Sequence, residues 1–404
     1  MSRAKREVER RARLAEERLE RLRLESLEKA TSPGSISAIS AELQPKLVAD
    51  CQYHQSLSEF ERLWVDRYTF LLRKGLRLRP RYRPGWSPSW LDNGKAYFAC
   101  EDYLRTTVPH VLDAENIKDG SVVCIKMLLQ RDSQEAQIVA FLSSERMLKE
   151  QWNHSGFLLD RFADPYPGTF EYLVMPLLRR FDDPEFGYVE EVIDFVTQVL
   201  EGLVFLHSHL IAHNDFTGAN IMMDARPILP SGWHPASLGH IPDLSTKISP
   251  LSRIDNPVKY YIIDFGIAHR LQPGDAPIVR DCGGRDRDAP ELKRSREYNP
   301  FKLDVFTAAN TFYNELWKKY HRLDFLADII LYGMAEDPDK RPSAPMVLER
   351  WYQVEKDIST LTRHLRLQRK EETLGESLVK DAFAIALQAP AMLMGSLPKP
   401  RRRS

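Results

Sequence analysis

The chain has 404 residues, with 57 basic and 57 acidic side chains. That length accommodates a two-lobed domain with extensions, and the balanced charge offers no global field for nucleic acid or a membrane surface. Its four scattered cysteines (Cys51, Cys100, Cys124, Cys282) exclude a disulfide scaffold and a paired-cysteine zinc site.

The start, Met1-Ser2-Arg3-Ala4-Lys5-Arg6, is charged rather than apolar, which argues against a secretory signal. No apolar run reaches the roughly 18 residues of a spanning helix. A cytoplasmic protein without a membrane span is the expectation.

Residues 1–31 read as a charged helical extension. Val8, Ala12, Ala15, Leu19 and Leu22 could seam a short coiled coil, but a solvated single helix is preferred. Ser32-Pro33-Gly34-Ser35 breaks that helix and opens a linker over 32–59. A Pro- and Trp-rich extension is expected over 60–99, beginning with the apolar Leu63, Trp64, Tyr68, Phe70 and Leu71. Within it, the prolines of 79–90 exclude helix and the paired Trp86 and Trp90 call for burial. This stretch reads as an extended strap packed on a small lobe, in preference to an aromatic and arginine docking surface.

His110–Ala114 and Ser121–Lys126 predict two strands joined around Asp119-Gly120, a hairpin signal. Ile138 and Leu142 then share one face of a helix beginning near Glu135. Tyr172–Leu178 predicts a strand leading into a connector. Val192, Phe195, Val196, Val199, Leu203 and Leu206 follow the helical period between Tyr188 and Ser208. Next, Ile211–Met223 puts Asp215, and Asn220 five residues later, on a loop between apolar runs. Such a pair suits phosphoryl transfer: the carboxylate accepts a hydroxyl proton while the amide oxygen helps hold a metal ion. Residues of about 225–258 carry no convincing periodicity and read as a loop insertion. Lys259–Ile263 predicts a short buried strand with Asp264 at its tip. The apolar stretch Ala382–Met394, broken by Pro390 and followed by Arg401-Arg402-Arg403, reads as a docked or disordered tail rather than a membrane-surface anchor.

A lone His-x-Asp-x4-Asn is a weak signal. Here it is preceded by Val123-Cys124-Ile125-Lys126 and followed by Ile263-Asp264-Phe265-Gly266 and Ala289-Pro290-Glu291. In that order the set is strong. The chain resembles a eukaryotic protein kinase over roughly residues 100–355. Asp304 and Asp337-Pro338-Asp339-Lys340-Arg341-Pro342 resemble the anchors that separate protein kinases from small-molecule phosphotransferases. The tryptophan stretch and the insertion also look like an expanded kinase-like family of mushroom-forming fungi.

The resemblance implies an α+β bilobal fold, with a small β-rich lobe and hinge over 100–178, a mostly helical lobe over 179–365, and a tail over 366–404. It implies ATP and Mg2+ as cofactors and Asp215 as catalytic base, with Asn220 and Asp264 holding magnesium. Lys126 would position the phosphates, paired with Glu135 or, as a competitor, Glu145. Cys124, Met175, Pro176 and Leu178 would surround the adenine. Arg341 would pair with Glu291.

Three departures accompany it. Alignment puts Leu104, Thr106 and Pro109 where three phosphate-approaching glycines belong. Thr217 and Ala219 stand where kinases carry a lysine or an arginine. Asn214 replaces the arginine of regulated kinases, and residues 264–291 contain no Ser, Thr or Tyr. The segment is therefore expected not to be switched by its own phosphorylation. The usual substrate-reading threonine is also missing from 282–288. The leading reading is a monomeric, magnesium-dependent kinase acting on a protein hydroxyl, its protein substrate or partner unspecified. The alternative is a pseudokinase scaffold that binds nucleotide weakly or not at all.

Overall fold

In the computed structural model, residues 53–384 are described, apart from 107, 157, 167–169, 281–283, 294–296, 374 and 383. The helical extension expected over 1–31, the expected linker as far as residue 52, Cys282 and most of the apolar tail lie outside the described residues. The described chain forms two compact units, one from 53–74 with 78–105, the other from 75–77 with everything after 105.

The first unit is built on helix α1 (Glu59–Arg73). Ser58 and Glu61 close its N-terminus with a reciprocal capping box. Its buried face carries Trp64, Arg67, Leu71 and the carboxylate of Glu61. The stretch after Leu78 is not the extended strap its prolines suggest. It coils into short turns at Pro80–Tyr82, Trp90–Asn93, Tyr97–Ala99 and Glu101–Tyr103. Proline excludes a helix interior, yet at the first position its missing N–H costs nothing, and Pro80 sits there. Burial organises these turns. Tyr82 and Trp90 are core residues, Trp86 Nε1 donates to Asp102 Oδ2 at 2.9 Å, and the Arg81 guanidinium lies over the Trp86 ring. Arg81 Nε donates to Glu61 Oε1 at 2.7 Å, and Arg105 joins the same carboxylate.

The second unit has the two-lobed α+β architecture. Strands β1 (Leu76–Leu78), β2 (Val111–Asn116), β3 (Val122–Leu128), β4 (Asp160–Ala163) and β5 (Glu171–Pro176) form a sheet in the order β1-β2-β3-β5-β4. β2 and β3 make the expected hairpin, with Gly120 at φ +73° in the turn, a conformation that favours glycine. The connection between β1 and β2, where a tight glycine turn would lie, instead runs from 79 to 110. Helix α2 (Gln134–Leu142), capped by the Ser133 hydroxyl, follows β3.

The helical lobe is centred on α3 (Val189–Ser208), buried over most of its circumference, as the core helix of a large domain should be. Short strands β6 (Arg179–Arg180), β8 (Ile221–Asp224) and β9 (Lys259–Ile262) make one small sheet, and β7 (Ile211–Ala212) with β10 (His269–Arg270) another. Helices α4 (Pro300–Phe312) and α5 (Ala344–Asp357) complete the core.

The segment 225–258 contains no named helix or strand, but several of its residues anchor it to the lobe. Ile228, Leu229 and Trp233 are buried. Arg253 donates to the Phe181 carbonyl at 2.9 Å and to the Tyr260 hydroxyl at 3.0 Å. Among the described residues no helix is long and apolar enough to cross a membrane.

Candidate functional site

Successive strand residues point to opposite faces, so Cys124 and Lys126 share one face of β3. The register sets Cys124 opposite Met175 and Val123 opposite Pro176 on β5. Leu178 follows in the connector to β6. Cys124, Met175 and Pro176 thus lie close together at one end of the sheet. Burial pushes the Cys124 thiol up to about 12, so it stays a neutral, apolar-like group.

Lys126 Nζ donates to Glu135 Oε1 at 2.5 Å and to Asp264 Oδ1 at 2.7 Å. Glu135 lies in the first turn of α2, which puts it within reach of β3 despite the short connection. Glu145 instead pairs with Lys149 at the surface. Burial pulls the Lys126 ammonium down, but Glu135 and Asp264 outweigh it and hold it above its ordinary value. Burial likewise raises the Asp264 carboxyl, and Lys126, by charge and hydrogen bond, turns the balance and holds it low. The lysine stays cationic and the aspartate anionic.

The loop after β7 is held from beneath. Asp304 on α4, fully buried, accepts the backbone N–H of His213 and of Asn214, each at 2.7 Å, and faces His207 Nε2 at 3.0 Å. His213 Nε2 lies 2.9 Å from the Ile263 carbonyl. Asn214 (φ +62°) and Asp264 (φ +66°) both adopt the left-handed region, which Asn and Asp tolerate better than most residues. The Asn214 amide donates to the Ile267 carbonyl and lies 3.0 Å from His269 Nδ1.

Asn220 Nδ2 donates to the Asp215 carbonyl and to Asp215 Oδ2, both at 2.8 Å. Those bonds leave the Asn220 amide oxygen for another partner. With the Asp264 carboxylate it makes a pair of hard oxygen donors. Magnesium suits such a pair, because it commonly takes only one or two protein ligands beside phosphate oxygens and water. Among the described residues no cluster of three or more His, Cys, Asp or Glu forms a self-sufficient metal cage. Further on, Arg341 Nη2 bonds Glu291 Oε2 at 2.8 Å in a buried ion pair.

Two residues at the site carry no signal in the linear motifs. The Arg285 backbone N–H donates to Asp215 Oδ1 at 2.6 Å. Its guanidinium Nε lies 3.5 Å from Asp215 Oδ2, and Nη2 lies 3.9 Å from Asp264 Oδ2. The missing cation at Thr217 is the clue that could have directed attention to a basic residue elsewhere. His110, just before β2, feels the same charges. Burial and Lys126 hold its imidazole below the usual value, against the opposing pull of Asp264 and Glu135.

A family model described as the protein kinase domain matches residues 107–323, just over half of the chain. A serine/threonine-protein kinase PLK4 of Xenopus tropicalis is 23% identical over 288 residues, covering 63% of this chain and 26% of the relative. A serine/threonine-protein kinase bur1 of Neurospora crassa is 23% identical over 225 residues, covering 52% of this chain and 34% of the relative. A probable serine/threonine-protein kinase of Arabidopsis thaliana, At1g54610, is 25% identical over 170 residues, covering 36% of this chain and 28% of the relative. The chain thus spans about a quarter to a third of the length of these relatives.

Proposed function

Because the chain belongs to the protein kinase domain family, we propose that it transfers the γ-phosphoryl group of magnesium-bound ATP to a protein hydroxyl. The observation that carries this reading is the Lys126–Glu135–Asp264 contact, which joins a strand and the helix after it to a loop 138 positions on through two short ion pairs. Such sites work mostly by positioning and charge neutralisation.

In this reading Cys124, Met175, Pro176 and Leu178 flank the adenine, with the Pro176 carbonyl and the Leu178 amide as hydrogen-bonding groups. Lys126, oriented by Glu135, contacts the phosphates. Asn220 and Asp264 hold magnesium, which when bound neutralises phosphate charge. Asp215, kept in place by Asn220, accepts the hydroxyl proton of the substrate. The loop is fixed through Asn214 and Asp304 rather than by a phosphorylated residue, consistent with the absence of Ser, Thr and Tyr from 264–291.

A scaffold role without turnover is the second reading. It is favoured by one observation: the chain has no glycine between Lys95 and Asp119, so the usual close backbone approach to phosphate is lost. A thermal-shift titration with ATP, with and without magnesium, on the wild type and on Asp264→Asn separates the two. Saturating ligand at about 100 times its dissociation constant adds about 2.7 kcal/mol of stability. The enzyme reading expects a magnesium-dependent shift that Asp264→Asn abolishes. No shift at millimolar ATP would reject it in favour of the scaffold.

A further inference from the structure

The loop that carries Asp215 has no cation of its own, since residues 211–223 contain neither Lys nor Arg. Lys126 is already engaged by two carboxylates at 2.5 and 2.7 Å. Arg285 lies differently. Its guanidinium faces Asp215 and Asp264 at 3.5 and 3.9 Å, and its side chain is 57% exposed. It therefore spans the proposed base and a proposed magnesium ligand without being locked to either.

Its placement is built. The backbone N–H of Arg285 is bound to Asp215 Oδ1. Gly284 permits that approach, because a Cβ there would fall 2.5 Å from the Asn214 carbonyl oxygen. Beyond it, Asn310 on α4 donates to Asp286 at 2.7 Å and to Asp288 at 3.2 Å. Arg285 is thus held at its own backbone N–H and, through Asp286 and Asp288, just after it, while its side chain stays more than half exposed.

We propose that Arg285 is a phosphate-binding residue that supplies, from the segment after Asp264, the cation missing at Thr217, and that it contacts the γ-phosphoryl group of the nucleotide. A guanidinium suits this task, because its planar fork of donors matches phosphate oxygens. During transfer the bond from the γ-phosphorus to the β–γ bridging oxygen breaks and its electron pair leaves with ADP. A bond to the substrate hydroxyl oxygen forms, and the hydroxyl proton passes to Asp215. Arg285 takes no covalent part and balances charge on the moving group. The inference rests on the nucleotide reading given above.

The test is calorimetric binding of ATP and of ADP to the full chain with magnesium, comparing wild type, Arg285→Gln and the double variant Arg285→Gln/Thr217→Lys. Arg285→Gln keeps the backbone contact and most of the side-chain length. Losing one charge-assisted phosphate contact should weaken ATP about tenfold, with ADP affinity unchanged. The lysine of the double variant should restore the preference for ATP over ADP. Equal weakening of ATP and ADP would overturn the assignment and leave the kinase reading standing. Tighter ATP binding in Arg285→Gln would also overturn it, marking Arg285 as an obstruction. A wild type that binds neither nucleotide would overturn both readings together.

Discussion

Asp304 is a charged side chain with no solvent exposure, and such a charge persists only where donors surround it. Here two of the donors are backbone N–H groups of the loop that carries Asp215, so the carboxylate fixes the loop without contacting Asp215 itself. Removing it strands both amides in the interior. Asp304→Ala should therefore cost about 3 kcal/mol, within the range for leaving buried donors unsatisfied. It should also speed hydrogen exchange at the His213 and Asn214 amides well beyond that global loss. Wild-type protection at those two amides would contradict the anchoring role. Lys126 illustrates the complementary case: its burial is tolerated because two carboxylates bind it, and the same pair of contacts aims it.

At the scale of elements, the clearest electrostatic dependence belongs to helix α1. Burial pushes the Glu61 carboxyl up, but hydrogen bonds from Arg81, Arg105 and the Ser58 amide, with the Arg81 charge, reverse this and lower it to about 2. A carboxylate whose pKa is depressed on folding stabilises the folded form above its unfolded value. That contribution is lost as pH falls through the folded value. The window here runs from about 4.5 down to about 2. Glu61→Gln should therefore lower the protection of the α1 amides at pH 7 and flatten its decline across that window, measured by hydrogen exchange. A profile as steep as the wild type's would show that other carboxylates carry the effect. The same helix explains why 79–103 forms turns rather than a strap. Arg81 must reach Glu61, and Tyr82, Trp86 and Trp90 must be covered, so the chain coils locally around its prolines.

For the molecule as a whole, the proposed permanently set site rests on the absence of hydroxyl side chains from 264–291 and on the amide tether of Asn214 to Ile267. On the proposed nucleotide reading, treatment of the purified full chain with a phosphatase, with removal checked by intact mass, should leave its affinity for magnesium–ATP unchanged. A marked loss of affinity would place control on a phosphorylated hydroxyl elsewhere in the chain and refute a permanently set site. The insertion of 225–258 also acts at this scale. Trp233 and Arg253 tie it into the helical lobe, so a segment with no periodicity contributes to the core rather than hanging from it.

Much of this was legible in the linear sequence wherever the governing forces are local. The turn at Asp119-Gly120 sets the β2–β3 hairpin, the helical period of Val192–Leu206 sets α3, and the order of Lys126, Asp215, Asn220, Asp264 and Glu291 identifies the family. Only the tertiary structure decided what distant segments do to one another. It set Glu135 rather than Glu145 against Lys126, brought Arg285 onto Asp215 across 70 positions, and anchored a loop to the helical lobe through Ile228, Leu229, Trp233 and Arg253. Backbone preference and hydrophobic period act over a few residues and leave a pattern in the chain. A contact between a lysine on a strand and an aspartate 138 positions away depends on how whole elements pack, and packing leaves no periodic trace in the residues that meet.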